Sequence, residues 1–346
     1  MESNCSDCPN GRYSPVYRYF LFQIWCADFA EDSHAAANVS LLKLAATIPA
    51  RDLRRVDKEC WPTWGLCALS DDVVLFACRP VGLHAVSLRD KQLPALEFAA
   101  IGDVYGVAFD APTDTLLILV RSARAATTAG EREVWHLASL RRNLSEWQEV
   151  QRLSVPIEVT DLASHGQPHI VVCYSRVLLG GGNGGGHRLF VFDVNAEHTL
   201  RAVGTVAASN SFVRHSCTRL GNDTYVAFSY GRTVSVHRLA SLPLRLEPLV
   251  NVDLTAAYGL LFREDLLLVA DWNSVTQSHA VVALRPSKSG LTQQRVLLDA
   301  HDGVYVWSWT LAGDRLVLWD FKSKDLLVYA FEWAIADSLT KAEMFH

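Results

Sequence analysis

The first constraints come from what this chain lacks. No stretch of its 346 residues approaches the 18 or more uninterrupted apolar residues that a membrane-spanning helix needs. The most apolar early segment, YFLFQIWCADFA at 19–30, is too short to span and has no basic leader feeding a long apolar core, so no signal peptide is read there. There is no Gly-x-Ser-x-Gly elbow, the usual mark of an α/β-hydrolase serine. The run GGGNGGG at 180–186 lacks the Lys-Ser/Thr ending of a phosphate loop and reads as a flexible hairpin loop. Cys5 and Cys8 form a CxxC pair with no second pair at suitable spacing, so a closed four-ligand zinc site is not expected. Positive charge is not in excess. The formal net charge of −5 disfavours a globally basic nucleic-acid binder while leaving room for a local basic patch.

What is present is globular and strand-like. Half the residues are hydrophobic and a fifth charged, outside the disordered range. Of the eight cysteines, Cys67, Cys78 and Cys173 sit inside apolar runs as small buried hydrophobes. That usage points to a reducing, cytoplasmic setting rather than secretion. Sequons at Asn4, Asn38, Asn143 and Asn222 occur no more often than chance allows.

Six short apolar runs each end at, or just before, a basic or aromatic residue: DDVVLFACR at Arg79, TDTLLILVR at Arg121, QPHIVVCYSR at Arg176, NDTYVAFSYGR at Arg232, EDLLLVADW at Trp272 and GDRLVLWDFK at Lys322. From the turn residues Asp72, Asp114, Pro168, Asp223, Asp265 and Asp314 the intervals are 42, 54, 55, 42 and 49 residues. A strand-built repeat of this size predicts a β-propeller. Each unit divides into four strand candidates, the first being WGLCAL (64–69), VVLFAC (73–78), GLHAVSL (82–88) and ALEFAAI (95–101). The third is read as VTDLAS, HIVVCYS, RLFVFDV and LRAVGTV. LASLRRNLSEWQEVQRL at 137–153 mixes helix formers and allows a helical turn.

The sixth unit has three strands, YVWSWT, RLVLWDF and DLLVYAF, and an unpaired edge would leave backbone groups open. SLLKLAAT at 40–47 is the expected donor that closes the circle. The expectation is an all-β, six-bladed propeller over 40–334, an N-terminal segment at 1–39 and a C-terminal tail at 335–346. YRYFLFQIW at 17–25 leaves a seventh, irregular blade open.

GLLFREDLLLVADWNSVTQSHAVVAL at 259–284 resembles an NHL-type propeller repeat, in which a strand ending in Val-Ala-Asp and then an Asn leads to the next strand. GLCALSDDVVLFACRPVGLHAVSL at 65–88 follows the same outline with Ala-Cys-Arg in place of Ala-Asp. WD40 repeats match less well, because no blade combines a Gly-His start with a Trp-Asp end. The resemblance is to propeller families at large, and it implies an interaction platform more often than an enzyme.

Arg79, Arg121, Tyr230, Trp272 and Phe321 stand at position seven from their turn residues, Arg176 and Lys322 at eight, and Arg232 at nine. If the blades are related by rotation, these strand ends form a basic and aromatic ring on one face. Guanidinium forks and ring faces at such spacing suit an acidic peptide or protein partner. The site expected is therefore Arg79, Arg121, Arg176, Tyr230, Arg232, Trp272 and Lys322, without cofactor, metal or membrane. The bland reading is that charged residues mark where strands meet water, with Asp103, Asp161, Asp271 and Asp302 as ion-pair partners. One alternative is a lactonase-like hydrolase at the channel mouth, although Asp271, Asn273, Asp302 and Asn222 do not converge as hard-cation ligands. A second is single-stranded RNA binding on the same rings. His84, His136 and His237 recur in third strands as partly buried, hydrogen-bonded histidines. Most of the ten tryptophans are expected to fill the wedges between blades.

Overall fold

Aliphatic and aromatic runs of strand length, separated by turns, fold into six antiparallel sheets in the computed structural model. It describes residues 42–49, 61–79, 82–90, 103–125, 132–143, 146–157, 168–183, 186–208, 214–263, 266–287 and 290–331. β1 (Leu42–Ile48) belongs to the last blade. Blade one holds β2 (Trp61–Ala68), β3 (Val73–Arg79) and β4 (Gly82–Ser87). Blade two is β5 (Asp103–Asp110), β6 (Thr115–Ala125), β7 (Arg132–Asn143) and β8 (Glu146–Val155). Blade three is β9 (His169–Cys173), β10 (Arg176–Asn183), β11 (Gly186–Val194) and β12 (Leu200–Ala207). Blade four is β13 (Arg214–Leu220), β14 (Asp223–Tyr230), β15 (Thr233–Ser241) and β16 (Leu244–Asp253). Blade five is β17 (Ala257–Arg263), β18 (Leu266–Asn273), β19 (Ser278–Ser287) and β20 (Gly290–Leu298). Blade six is β21 (Val306–Ala312), β22 (Arg315–Asp320) and β23 (Leu326–Phe331), with β1 as its fourth strand.

The chain is thus a six-bladed β-propeller closed by an N-terminal strand. β1 pairs antiparallel with β23 from Leu42↔Phe331 to Ile48↔Leu326, and the edge that blade six would otherwise expose is covered. The segments 17–25 and 95–101, read as a possible extra strand and as the fourth strand of blade one, lie outside the described residues.

The apolar face of each sheet packs on its neighbour, so the core is divided into six clusters, one per seam. Wide rings fill these wedges. Trp135, Trp147, Trp309 and Trp319 are buried, and Tyr105 meets Trp135 edge-on at 4.8 Å. The first strands of all six blades line an axial cavity of about 220 Å³.

Three expectations are corrected. First, the described residues of 137–153 contain no helix. β7 and β8 form a hairpin over it, because Trp135, Leu137, Ala138 and Leu140 are needed in the core. Second, His169–Cys173 is the first strand of blade three and not the second; VTDLAS lies outside the described residues. The second strand is RVLLGGGN, so most of the glycine run is strand. Gly181 is there for space, since a Cβ would stand 2.9 Å from Ile157 Cγ2. Third, Cys173 is no free thiol. It forms a disulfide with Cys217 across blades three and four, with Cα atoms 6.0 Å apart and a sequence separation of 44. Of the cysteines behind the expected reducing compartment this leaves Cys67, whose thiol burial pushes well up, and Cys78, whose side chain lies outside the described part. Among the described residues no helix is long and apolar enough to cross a membrane.

Candidate functional site

Alternating strand directions put second-strand ends, and the starts of first and third strands, on one face of the ring. At this face each blade must receive the chain arriving from the blade before. In blade five the Asp271 carboxylate accepts the N–H of Ala256 at 2.7 Å and of Thr255 at 3.4 Å. Burial raises its pKa, and those N–H groups oppose the shift. In blade six Asp320 accepts the N–H groups of Tyr305 (2.7 Å), Lys322 (3.2 Å) and Ser323 (3.0 Å). In blade four Ser229 Oγ accepts the Arg214 N–H at 3.1 Å. These polar groups satisfy backbone donors that no ladder reaches, so the Asp of VADW and of LWDF is a structural clamp.

One residue beyond each clamp stands an aromatic ring: Tyr230, Trp272 and Phe321. Trp272 lies 5.0 Å from Tyr305, which lies 5.4 Å from Phe321, which stacks on Trp307 at 4.8 Å. Tyr258 joins from β17, 6.5 Å from Trp272. The result is a continuous cluster across blades five and six, its members half-buried and Phe321 39% exposed. Beneath it lies His279, 1% exposed, with rings of Trp272, Tyr258 and Tyr305 at 5.0–5.6 Å. Its Nδ1 accepts the Val306 N–H at 3.1 Å, and burial holds its pKa down to about 4 against the pull of Asp320.

The cations of the expected ring divide. Arg232 is exposed on the β14–β15 turn, and Lys322 is exposed beside Phe321. Among the described residues neither forms an ion pair. The turn that carries Arg232 is knitted to the strand before Tyr258, because Ala257 N–H donates to Gly231 O at 2.7 Å and Leu254 N–H to Arg232 O at 2.6 Å. Arg121 is on the same face but engaged: Asp103 holds it at 3.1 Å, its guanidinium lies 4.9 Å from the Tyr105 ring centre, and its side chain is 14% exposed. Arg79 ends β3 opposite Trp61; its side chain is outside the described part. Arg176 is displaced by the reassignment of blade three. It begins β10 on the opposite face, where Asp193 (3.0 Å) and Ser241 Oγ (3.1 Å) hold it. The structure therefore places Tyr230, Arg232, Trp272 and Lys322 on the same face of blades four to six, where Tyr258, Tyr305, Trp307 and Phe321 form the cluster around Trp272.

Other candidates resolve into structure. Asn273 Oδ1 accepts the Val275 and Thr276 N–H groups within its own turn, and among the described residues no cluster of metal-ligating side chains forms. His136 bridges Ser122 and Ser154, His237 bonds Ser235, and His84 stacks on Phe76. Burial lowers the pKa of all three.

The fold defines the class: a β-propeller, with no narrower family to name. No protein-family model and no curated protein matches the chain. Among solved structures it is similar to the PQQ-bound aldose sugar dehydrogenase of Streptomyces coelicolor, at 11% identity over 85% of this chain and 99% of that one, TM-score 0.53. It is also similar to a putative glucose dehydrogenase of Thermus thermophilus, at 11% identity over 84% and 99%, TM-score 0.54. The WD40 repeats of RRP9 align at 12% identity over 84% and 99%, TM-score 0.48. At these identities the likeness concerns the fold alone.

Proposed function

We propose that this propeller is a non-catalytic interaction module that grips an acidic segment of another protein on the second-strand-end face of blades four to six. The observation that carries the reading is the continuous cluster of Tyr258, Trp272, Tyr305, Trp307 and Phe321, flanked by exposed Arg232 and Lys322. Rings with few rotors supply contact area at low entropic cost, and cations at the rim select and steer a partner of opposite sign. The ring is smaller than the one expected from spacing, because Arg121 is neutralised and Arg176 faces away.

The test is titration of acidic synthetic peptides, selected from a displayed library on the whole chain, against wild type, Trp272→Ala and Arg232→Ala/Lys322→Ala. Loss of an aromatic anchor is expected to weaken binding ~10–100-fold, and loss of the rim cations to flatten the salt dependence. If uridine oligonucleotides bind more tightly than any selected peptide and depend on the same rings, the site is a single-strand RNA face. If Trp272→Ala leaves every affinity unchanged, the cluster is packing and the reading fails.

A further inference from the structure

We propose that the opposite face, where first strands end, carries a second interaction surface on blades three and four, built on Tyr174 and fitted to a protein segment that places carboxylates beside an aliphatic side chain. The inference does not rest on the face described above.

β9 and β10 are joined by two residues, Tyr174 and Ser175, since Cys173 pairs directly with Arg176. Both have positive φ, 47° and 66°. A tight hairpin of this kind strongly favours Asn-Gly, because left-handed backbone strains a side chain with a Cβ. A bulky tyrosine breaks that preference, and the surroundings hold it in place. Cys173 is bonded to Cys217 of blade four. The Ser175 N–H and hydroxyl donate to the buried Asp110 carboxylate of blade two at 2.7 and 3.2 Å. Arg176 is tied to Asp193 and Ser241. Three blades thus converge to present a ring that is 60% exposed. Strain that the surroundings must hold in this way marks a position where function outweighs local preference.

What surrounds the ring indicates the partner. The Arg219 guanidinium lies 6.0 Å from the Tyr174 ring centre. Arg201, its side chain 80% exposed, shares the single carboxylate of Asp193 with Arg176. Arg176 and Arg201 share the one carboxylate of Asp193, and Arg219 donates to the Gly221 carbonyl at 3.2 Å with no carboxylate partner among these contacts, so around Tyr174 guanidinium groups outnumber the carboxylates that pair with them, on a chain whose formal net charge is −5. Leu242, 95% exposed, follows Ser241, to which Arg176 is bonded. A pre-ordered tyrosine with arginines beside it and an aliphatic residue at the edge is the composition of an interface anchor, and its rigidity lowers the ordering cost of binding.

The test is a displayed library of random twelve-residue peptides selected on the whole chain and counter-selected on Tyr174→Asn. Asparagine suits the left-handed turn, so this variant should keep or slightly raise the melting temperature while removing the ring. The proposal expects enriched peptides with Asp or Glu next to Leu, Ile or Val. As synthetic peptides they should bind wild type at least ~10-fold more tightly than the variant, lose affinity with salt, and be indifferent to Trp272→Ala. Enrichment of basic peptides, equal binding to Tyr174→Asn, or no enrichment over the counter-selection overturns it. Arg219→Ala supplies a second readout at an exposed site, with a ~3–10-fold loss expected.

Discussion

The seam between blades five and six and the seam between blades three and four solve one problem with different chemistry. Among the described residues blades five and six bury fifteen hydrophobic residues in one cluster, from Leu42 of the closing strand to Trp309 and Tyr329. Among the described residues blades three and four bury seven, among them Leu178, Val226 and Phe228, with seven more only partly buried against two in the first cluster. The thinner seam is instead crossed by the Cys173–Cys217 disulfide, by His215 donating from Nε2 to Leu178 O at 3.1 Å, and by the bond from Arg176 to Ser241. The first seam relies more on area removed from water, the second more on directional and covalent links. Each proposed interaction face lies over one of these solutions, the aromatic cluster over the thick seam and the Tyr174 turn over the thin one.

The comparison breaks most visibly at Trp309. Trp309→Ala opens a void in the thick seam and should cost ~3–5 kcal/mol in urea unfolding. A smaller loss than that of any single substitution in the thin seam would reverse the ranking. Next comes the covalent link: Cys173→Ser/Cys217→Ser should lose ~2–4 kcal/mol. A reductant should lower the melting temperature of wild type and leave that of the double variant unchanged, a difference read directly by calorimetry.

Acid should strike both seams. His215 and His279 each link to the backbone of the neighbouring blade, and burial holds the pKa of each down to about 4. His169, its Nδ1 3.4 Å from that of His215, is lowered as well. A folded pKa below the unfolded value means the unfolded chain takes up protons that the fold refuses. The stability held above the ordinary histidine pKa of 6.5 is therefore lost as pH falls toward 4, by ~2–3 kcal/mol for a group shifted this far. Urea midpoints measured across that range in His215→Asn and His279→Asn should show shallower slopes than wild type. A slope unchanged in both would remove these histidines from the account.

The smallest contrast is between two glycines. At Gly259 a new Cβ would meet the Trp309 ring at 3.2 Å, whereas at Gly204 it would meet the flexible tip of Leu244 at 2.8 Å. Gly259→Ala should cost ~1–3 kcal/mol and Gly204→Ala much less, because a leucine end can swing and a packed indole cannot.

Blades four, five and six are legible in the sequence because their alternation and their turns agree, blade two is legible apart from the helical turn allowed at 137–153, and the closing strand follows from the missing partner of DLLVYAF. Blade three misleads for a physical reason. HIVVCYSR imitates the second strands of the other blades, while the true second strand hides its identity in glycines that strand preference disfavours. That slip carries Arg176 to the wrong face. The Cys173–Cys217 link is not legible at all, since pairing depends on how blades three and four approach. Trp272 is found by counting, but Tyr258, Tyr305 and Trp307 begin first strands, after connections of uneven length that no period marks. Counting alone does not choose between a ring and ion pairs, and at Arg121 it is the pairing read for Asp103 that the structure shows.

The pairing of Leu42 with Phe331 has a mechanical consequence. The chain enters β1 and leaves β23 at one corner of blade six, so tension applied to the two flanking segments bears on a single ladder rung. The rungs between β1 and β23 would then part in succession, as in a zipper, instead of sharing the load in shear. A tether pulling on both ends would peel off the closing strand while the other five blades keep their fourfold pairing or, in blade one, its three described strands.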